Sequence, residues 1–151
     1  MGAAKGLRVE LIAAADANRI VKALHYSGTY TRNGQLHFGV FMDGKCGGAM
    51  TFGPSIAKRT MAPLVRGTGM NQFLELNRLA FADWLPRNSE SRALSYALRW
   101  IASEHPHVKW VVSFADATRC GDGTIYRAAG FLLVGIKRNT SMLQMRGKRE
   151  N

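Results

Sequence analysis

Cysteine is scarce in this chain of 151 residues, which contains only Cys46 and Cys120. The pair offers neither a C-x-x-C motif nor a zinc-ribbon spacing, and this argues against a zinc site built from cysteines. We expect two reduced thiols. Cys120 lies in a glycine-rich polar stretch and is the better candidate for a reactive thiol.

Long apolar runs are also missing. No segment approaches the ~18 consecutive apolar residues that a helix needs to cross a bilayer. The first fifteen residues include Lys5, Arg8 and Glu10 instead of the apolar core of a signal peptide. The sequence therefore predicts a cytoplasmic protein with no membrane partner. The composition, 46% hydrophobic and 21% charged, is that of an ordinary globular protein, and the length predicts one domain over residues 1–151.

Acidic side chains are few, because 10 Asp and Glu stand against 21 Lys and Arg and give a net charge of +11. A positive field of this size attracts phosphate polymers, and such charge supplies most sequence-independent affinity for nucleic acid. We therefore expect a nucleic-acid partner. The alternatives are an anionic cofactor, such as a nucleotide or coenzyme A, and a basic surface without a polyanionic ligand.

Hydrophobic periodicity predicts seven strands and three helices. The strands are expected at 7–13, 36–42, 47–52, 73–81, 108–114, 131–136 and 142–145, and the helices at 16–28, 89–105 and 124–129. A turn at Asp43-Gly44-Lys45 joins the second and third strands into a hairpin. The order predicts an α/β (α+β) domain in which an antiparallel half is followed by a β-α-β-α-β half.

Two charged residues stand out against these strands. Strict alternation puts Arg78 on the same face of its strand as Leu76 and Ala80. An unpaired arginine is costly to bury, so Arg78 is expected to bind a donor group or to pair with Asp116. Asp116 follows the apolar strand 108–114, at the sheet edge where open α/β folds bind ligands. It is a candidate base or orienting group for an amine, with a loop hydrogen bond as the alternative.

The order of elements, together with the segment Tyr126-Arg-Ala-Ala-Gly130-Phe131, resembles the N-acetyltransferase (GNAT) superfold. In that superfold a Tyr-x-x-x-Gly-Phe segment ends the last helix and opens the next strand. The resemblance implies a single GNAT-like domain with a mixed central sheet flanked by helices. It also implies that Tyr126 is a general acid towards the leaving group, a role that a phenol can fill. A partly buried helix aromatic is the alternative.

A more specific resemblance runs from about residue 25 to residue 131. Its motifs are His25-Tyr26-Ser27-Gly28, Leu76-Asn77-Arg78-Leu79, Leu85-Pro86-Arg87-Asn88-Ser89-Glu90-Ser91-Arg92, Ser113-Phe114-Ala115-Asp116-Ala117 and Gly121-Asp122-Gly123-Thr124-Ile125-Tyr126. They are similar to the Mom family, DNA-modification proteins of Mu-like phages on a divergent acetyltransferase fold. The resemblance implies an enzyme that turns the N6 amino group of adenine in double-stranded DNA into an N6-carbamoylmethyl group. That modification shields phage DNA from host restriction.

One departure from ordinary acetyltransferases concerns the donor. Those enzymes hold the pyrophosphate of coenzyme A on a glycine-rich loop at a helix N-terminus. Residues 87–92 occupy that place here and contain no glycine, while Glu90 would oppose an anion. Acetyl-coenzyme A is thus a disfavoured donor, and a small molecule or an aminoacyl group is the alternative. By resemblance, Ser91, Arg92 and Tyr126 contact the donor, and Arg78 and Ser91 position it; Ser91 is otherwise a helix cap.

The resemblance further implies that His25 and Tyr26 contact iron together with Asp116. Histidine is the commonest metal ligand, but a histidine at a helix end is also a favourable partner for the helix dipole. Spacing alone reveals no complete ligand set. Iron therefore stands as an expectation that comes from the family.

Basic residues in predicted loops and helix starts are expected to bind DNA. The basic candidates are Arg59, Arg66, Arg87 and Arg119, with further cations at Arg32, Lys58 and Arg92. Trp84 is an aromatic candidate for the same DNA contact. Chemistry on the amine of a paired base generally requires that the base leave the duplex. Tyr30, Phe52 and Trp84 are the aromatic residues that such a base could stack on.

Two other functions are compatible with the same fold. One is an ordinary coenzyme-A-dependent N-acetyltransferase that acts on a small amine or a protein. The other is a non-catalytic DNA-binding module. Binding of coenzyme A without affinity for DNA would favour the first, and DNA affinity without any modified nucleoside would favour the second.

Overall fold

The computed structural model describes residues 3–115 and 123–135. Five strands and four helices are found there: β1 (Arg8–Leu11), α1 (Ala14–Leu24), β2 (Leu36–Met42), β3 (Lys45–Gly53), α2 (Lys58–Met61), β4 (Phe73–Phe81), α3 (Ser89–Glu104), β5 (Trp110–Val112) and α4 (Thr124–Ala128). Two 3₁₀ turns, Ala3–Gly6 and Ala62–Leu64, complete the set. No helix of these ranges is long and apolar enough to span a membrane.

The element order matches the predicted order as far as α4, except that the short helix α2 between β3 and β4 was not predicted. Strand β4 has the predicted bounds, whereas β1 and β5 are shorter than predicted and α1 ends at Leu24. The strand predicted at 131–136 is not formed over residues 131–135. Ile136 and the strand predicted at 142–145 lie outside the described residues.

The five strands form one mixed sheet in the order β1-β2-β3-β4-β5. The first four strands pair antiparallel, and β5 pairs parallel to β4. The hairpin β2–β3 closes on Asp43 and Gly44, whose φ angles of 55° and 77° are both positive. A two-residue turn in which both residues have a positive φ favours Asp-Gly, and this is why the sequence predicted the hairpin.

Helices cover the sheet on both faces. Helix α1 buries Ala17 and Val21 against Ala49 and Ala80, and α3 buries Leu94, Ala97 and Ile101 in a larger cluster with Phe38, Val40, Met50 and Leu76. Ala49 and Met50 are neighbours in β3 and belong to different clusters. Because successive strand residues point to opposite faces, α1 and α3 lie on opposite sides of the sheet.

A β-bulge interrupts the register between β3 and β4. Thr51 pairs with Arg78 and Phe52 pairs with Leu76, so Asn77 is an extra residue in β4. The bulge reverses the alternation, as an inserted residue must. Leu76 therefore packs with the α3 cluster while Ala80 packs under α1. The predicted common face for Leu76, Arg78 and Ala80 was wrong for Leu76.

The parallel pairing of β4 and β5 is short. It covers three residue pairs and ends at Glu75 and Val112, although β4 continues to Phe81. Within the described residues, nothing pairs with β4 on that side beyond Glu75. In the described part of the chain, β4 thus has an unpaired edge beside residues 76–81 that begins next to the bulge, and this edge is the opening between β4 and β5.

Candidate functional site

The first group of site residues lies where α1 ends. Helix α1 stops at Leu24, and the N–H of His25 closes it by donating to the Val21 carbonyl at 2.9 Å. The His25 ring stacks on Tyr26 with centroids 4.3 Å apart and an interplanar angle of 29°. His25 is half-buried, whereas Tyr26 is 52% exposed. The two predicted metal ligands are therefore adjacent in space as well as in sequence.

Hydrogen bonds connect His25 to Arg78 through two hydroxyl groups. Nδ1 of His25 lies 2.8 Å from Ser27 Oγ, and Ser27 Oγ lies 3.1 Å from Thr29 Oγ1. Arg78 Nε donates to the main-chain carbonyl of Thr29 at 2.9 Å, and its Nη1 donates to the Asn77 carbonyl at 2.8 Å. The bulge residue and the loop after α1 together hold the guanidinium in place.

Electrostatics keep His25 neutral. Burial lowers the pKa of His25 from its usual 6.5, and the nearby Arg78 cation lowers this pKa further. The tautomer with Nδ1–H donates to Ser27 Oγ and leaves the Nε2 lone pair available. In the other tautomer Nδ1 accepts from the Ser27 N–H, at 3.2 Å. A neutral imidazole of this kind can bind a metal or move a proton.

The donor chemistry of His25 and Tyr26 suits iron, since an imidazole nitrogen and a phenolate oxygen are both available ligand types. Ser27 Oγ can accept a hydrogen bond from Nδ1–H of His25, which would fix the ring and leave Nε2 for a metal. No cluster of three His, Cys, Asp or Glu side chains that could hold a metal is found in residues 3–115 and 123–135. The third residue implied by the family resemblance, Asp116, lies outside these ranges.

Four buried polar atoms lack a hydrogen-bond partner within the described ranges: Asn18 Oδ1, Thr31 Oγ1, Asn77 Oδ1 and Ser113 Oγ. Asn77 is the bulge residue, and Ser113 directly follows the last residue of β5 to pair with β4. Asn77 Oδ1 lies close to Gly53, on the β3 side of β4. Buried polar atoms without partners are rare in folded proteins, so Asn77 and Ser113 are candidates to contact a substrate.

Gly53 accounts for the close approach of the loop to the bulge. A Cβ on Gly53 would meet Asn77 Oδ1 at 2.7 Å and would also strike the main-chain oxygen of Asn33. Asn33 in turn donates from Nδ2 to the Pro54 carbonyl at 2.6 Å. Only glycine fits there, so the loop of residues 25–35 lies directly on β3 and β4.

The second group of site residues lies at the start of α3. Asn88 precedes the helix with a φ of 72°, and the buried Ser89 donates from Oγ to the Pro86 carbonyl at 2.6 Å. Ser91 is inside the first turn and donates to the Asn88 carbonyl at 3.3 Å. The expectation that Ser91 caps the helix was wrong, because the helix begins two residues earlier. Ser91 and Arg92 instead line a cleft with Ala128 of α4.

Helix α4 holds Tyr126 against the α3 side of the sheet. Its ring meets Phe131 edge-on, with centroids 5.6 Å apart, and packs against the large core cluster. Tyr126, Ser91 and Arg92 therefore belong to elements on the α3 face, whereas His25 and Arg78 lie on the α1 face. Asp116 falls outside the described residues.

The predicted DNA contacts come from different elements. Arg59, Arg66 and Arg87 are exposed, and Arg119 lies outside the described residues. Arg59 belongs to α2, Arg66 lies in the segment before β4, and Arg87 lies in the segment between β4 and α3.

The predicted stacking residues differ in exposure. Trp84 is 45% exposed; one edge covers Gly47, and Lys45 Nζ lies 4.9 Å from the ring centroid. Tyr30 is also exposed, at 40%. Phe52 is completely buried, so its assignment as a stacking residue was wrong. Its strand is covered by helices on both faces, which leaves no side of β3 for a base.

Sequence reasoning missed Ser27, Thr29 and Asn77 as individual site residues. A signal was present for Asn77, a polar residue in the middle of an apolar strand, and for Ser27, which directly follows His25 and Tyr26. No local signal identifies Thr29, because its contact with Arg78 spans 49 residues.

Solved structures share this fold. An aminoglycoside acetyltransferase from an uncultured soil metagenomic sample, in complex with sisomicin, aligns with a TM-score of 0.62 at 11% identity over 92% of this chain and 97% of that one. A possible acetyltransferase from Clostridium difficile 630 aligns with a TM-score of 0.57 at 8% identity over 93% and 99% of the two chains. The predicted acetyltransferase-type α/β fold is confirmed.

Sequence comparison agrees with the motifs. The methylcarbamoylase mom of Escherichia phage Mu is 41% identical over 137 residues, which make up 90% of this chain and 56% of that protein. The chain thus spans about half the length of this curated relative. The model of the Mom protein family matches residues 6–150. This chain has an acetyltransferase-type fold and the His25–Arg78 group. On the grounds of the sequence identity and the family match, it belongs to the Mom protein family.

Proposed function

We propose that this protein modifies adenine in phage DNA and converts the N6 amino group into an N6-carbamoylmethyl group. The observation that carries the proposal is the 41% identity to a methylcarbamoylase over 90% of the chain. The hydrogen-bonded group that joins His25 to Arg78 supports it, since those residues belong to the motifs that resemble the family. Protection of phage DNA from restriction is the consequence that we propose for the modification.

In the proposed mechanism the two groups of residues bind different parts of the donor. Arg78, held by the Thr29 and Asn77 carbonyls, keeps further N–H donors for a carbonyl oxygen of the donor. Fixed donors of this kind stabilise charge that develops in a transition state. Ser91 and Arg92 hold the remote part of the donor on the α3 face.

Proton transfers are attributed to Asp116 and Tyr126. The N6 nitrogen of adenine forms the new C–N bond, and its proton passes to Asp116, which also orients the amine. Tyr126 then delivers a proton to the leaving group, as a phenol of high pKa can do late in a reaction. The target base leaves the duplex to reach these side chains, because its amine is otherwise paired.

Iron is part of the same proposal. His25 and Tyr26, with Asp116, would hold the ion, which would supply a Lewis acid beside the reacting group. The neutral state of His25 favours this role, because only an unprotonated imidazole binds a metal. Metal analysis of the purified protein tests it: iron at one equivalent should be lost in the His25→Ala and Tyr26→Phe variants. A wild-type protein free of iron after anaerobic purification with added Fe²⁺ would contradict the assignment.

Mass spectrometry of nucleosides tests the function itself. Cells that express the protein should contain deoxyadenosine made heavier by a carbamoylmethyl substitution, and Asp116→Asn should abolish this product at an unchanged melting temperature. Arg119→Gln is a suitable control in the same part of the sequence, because it is expected to weaken DNA binding without removing the chemistry. Full modification by Asp116→Asn would refute the role of Asp116.

The acetyltransferase fold of the solved neighbours supports one competing function, acetyl transfer from coenzyme A to an amine. The same nucleoside experiment separates the two. An acetyltransferase would leave DNA unmodified and would release free coenzyme A in the presence of acetyl-coenzyme A and an amine acceptor.

A further inference from the structure

A cationic cleft lies between β1, α3 and α4, away from His25 and Arg78. Its volume is about 460 Å³. The polar side chains that line it are Arg8, Ser91, Arg92, Ser95, Tyr96 and Arg99, and no carboxylate is among the lining residues. Arg8, Ser95, Tyr96 and Arg99 have no part in the function proposed above, so this group is an independent observation.

Helix geometry aligns the polar groups along one side of α3. Ser91, Ser95 and Arg99 are spaced by four residues, and such positions share a helix face. Arg92 and Arg99 are two turns apart, or about 10.5 Å along the axis. Arg8 adds a third guanidinium from the start of β1. The result is an elongated row of cations and hydroxyl groups.

The charge of this row is largely uncompensated. In the part of the chain that the structure describes, no carboxylate pairs with Arg92 or Arg99. Arg8 contacts Glu10 at 3.2 Å and lies 4.6 Å from the Phe41 ring centroid, but both partners in the ion pair are about half exposed. Such a surface pair is weak. Arg8 can therefore exchange Glu10 for a phosphate.

We propose that this cleft binds the phosphate backbone of duplex DNA and orients the substrate relative to the Arg78 group. The inference rests on the proposed function for its choice of DNA. The arrangement of the two arginines outside the proposed donor site supports a polymer as the ligand: Arg8 and Arg99 come from different elements, so separate phosphates of one backbone can each meet one of them.

Salt-dependent binding to an unmodified duplex tests the proposal. Each lost phosphate contact should reduce the slope of log affinity against log salt by about 0.9. The Arg8→Gln/Arg99→Gln double variant should therefore have a slope lower by about 1.8 than the wild type. Arg92 stays intact because it is assigned to the donor. Arg19→Gln is the matched control, because Arg19 is an exposed arginine in a single ion pair with Asp16 at 3.0 Å on the opposite side of the sheet.

The outcomes are distinct. A lower slope in the double variant, with Arg19→Gln unchanged and both melting temperatures unchanged, supports the proposal. An equal loss in Arg19→Gln would mean a general effect of charge and would overturn it, as would an unchanged slope. Loss of coenzyme A binding in the double variant with a normal duplex slope would assign the cleft to donor phosphates instead. A wild-type protein without affinity for duplex DNA would also contradict the proposed function, whereas the other negative results leave that function intact.

Discussion

Arg78 Nε donates a 2.9 Å hydrogen bond to the main-chain carbonyl of Thr29, across 49 residues of sequence. The bond ties strand β4 to the loop that follows α1. It places the guanidinium near His25, where its charge helps to lower the pKa of the imidazole. One arginine thus positions the loop and, second to burial, lowers the pKa of the neighbouring ring.

We expect the Arg78→Lys variant to lose most of its activity. Lysine keeps the charge but cannot make the separate Nε and Nη1 bonds that hold the group in place. Nucleoside analysis should show a fall of about 10²-fold in modification, the scale on which loss of one positioned donor reduces catalysis. Thr29→Val keeps the carbonyl that Nε uses, so its activity should fall less. Full modification by Arg78→Lys would contradict this role.

Coenzyme A should bind weakly or not at all. The start of α3 has no glycine-rich loop, and Glu90 lies in its first turn. An acid there reduces the attraction of a helix N-terminus for phosphate. Calorimetry with coenzyme A should therefore show no low-micromolar binding. Tight binding that the Ser91→Glu variant loses would instead support an ordinary acetyltransferase.

Arg87 and Trp84 should respond differently to truncation. Arg87→Ala removes an exposed cation and should reduce the salt slope of DNA binding by about one. Trp84→Ala should leave that slope unchanged but should lower stability by about 1–2 kcal/mol, less than a fully buried tryptophan would. Thermal melts and salt titrations of both variants check this. If Trp84 stacks on an extruded base, its loss should also reduce modification.

Stability should fall as the solution becomes acidic, in part because of His37. This residue is buried, its Nδ1 lies 3.1 Å from Thr51 Oγ1, and burial lowers its pKa from 6.5, while a hydrogen bond to the Gly34 backbone raises the pKa in part. Below about pH 6.5 the unfolded chain therefore binds more protons at this site than the folded protein does. The stability contribution is present above pH 6.5 and is lost as the pH falls towards the folded value.

Denaturant unfolding between pH 7.5 and pH 5 measures this effect. The fall in stability should be smaller in His37→Gln than in the wild type. An identical pH dependence in His37→Gln would remove His37 from the explanation.

The sequence predicted the hairpin and the bounds of β4 because those features depend on local rules. Asp43 and Gly44 both tolerate the positive φ of the turn, and the apolar run of β4 ends at a proline-containing loop. The bulge at Asn77 obeys no local rule. The residues of β4 alternate without an obvious break, and only pairing with β3 reveals the extra residue.

The candidate site was predicted in its parts but not in its arrangement. His25, Tyr26 and Arg78 were named, and the structure brings them together through Ser27 and Thr29. Phe52 was misplaced on the surface because its burial depends on helices from distant segments that cover both faces of β3. Long-range packing of this kind leaves no trace in residue spacing.

The bulge at Asn77 has a consequence for how this strand can change over time. If the pairing became regular with every residue kept, so that Thr51 paired with Asn77, each side chain after position 77 would turn to the other face and Arg78 would point into the α3 core. Deleting the residue at position 77 would instead remove the bulge and leave Leu76, Arg78 and Leu79 on the faces that they occupy now. The register of β4 against β3 is thus as much a part of the site as the identity of any residue in it.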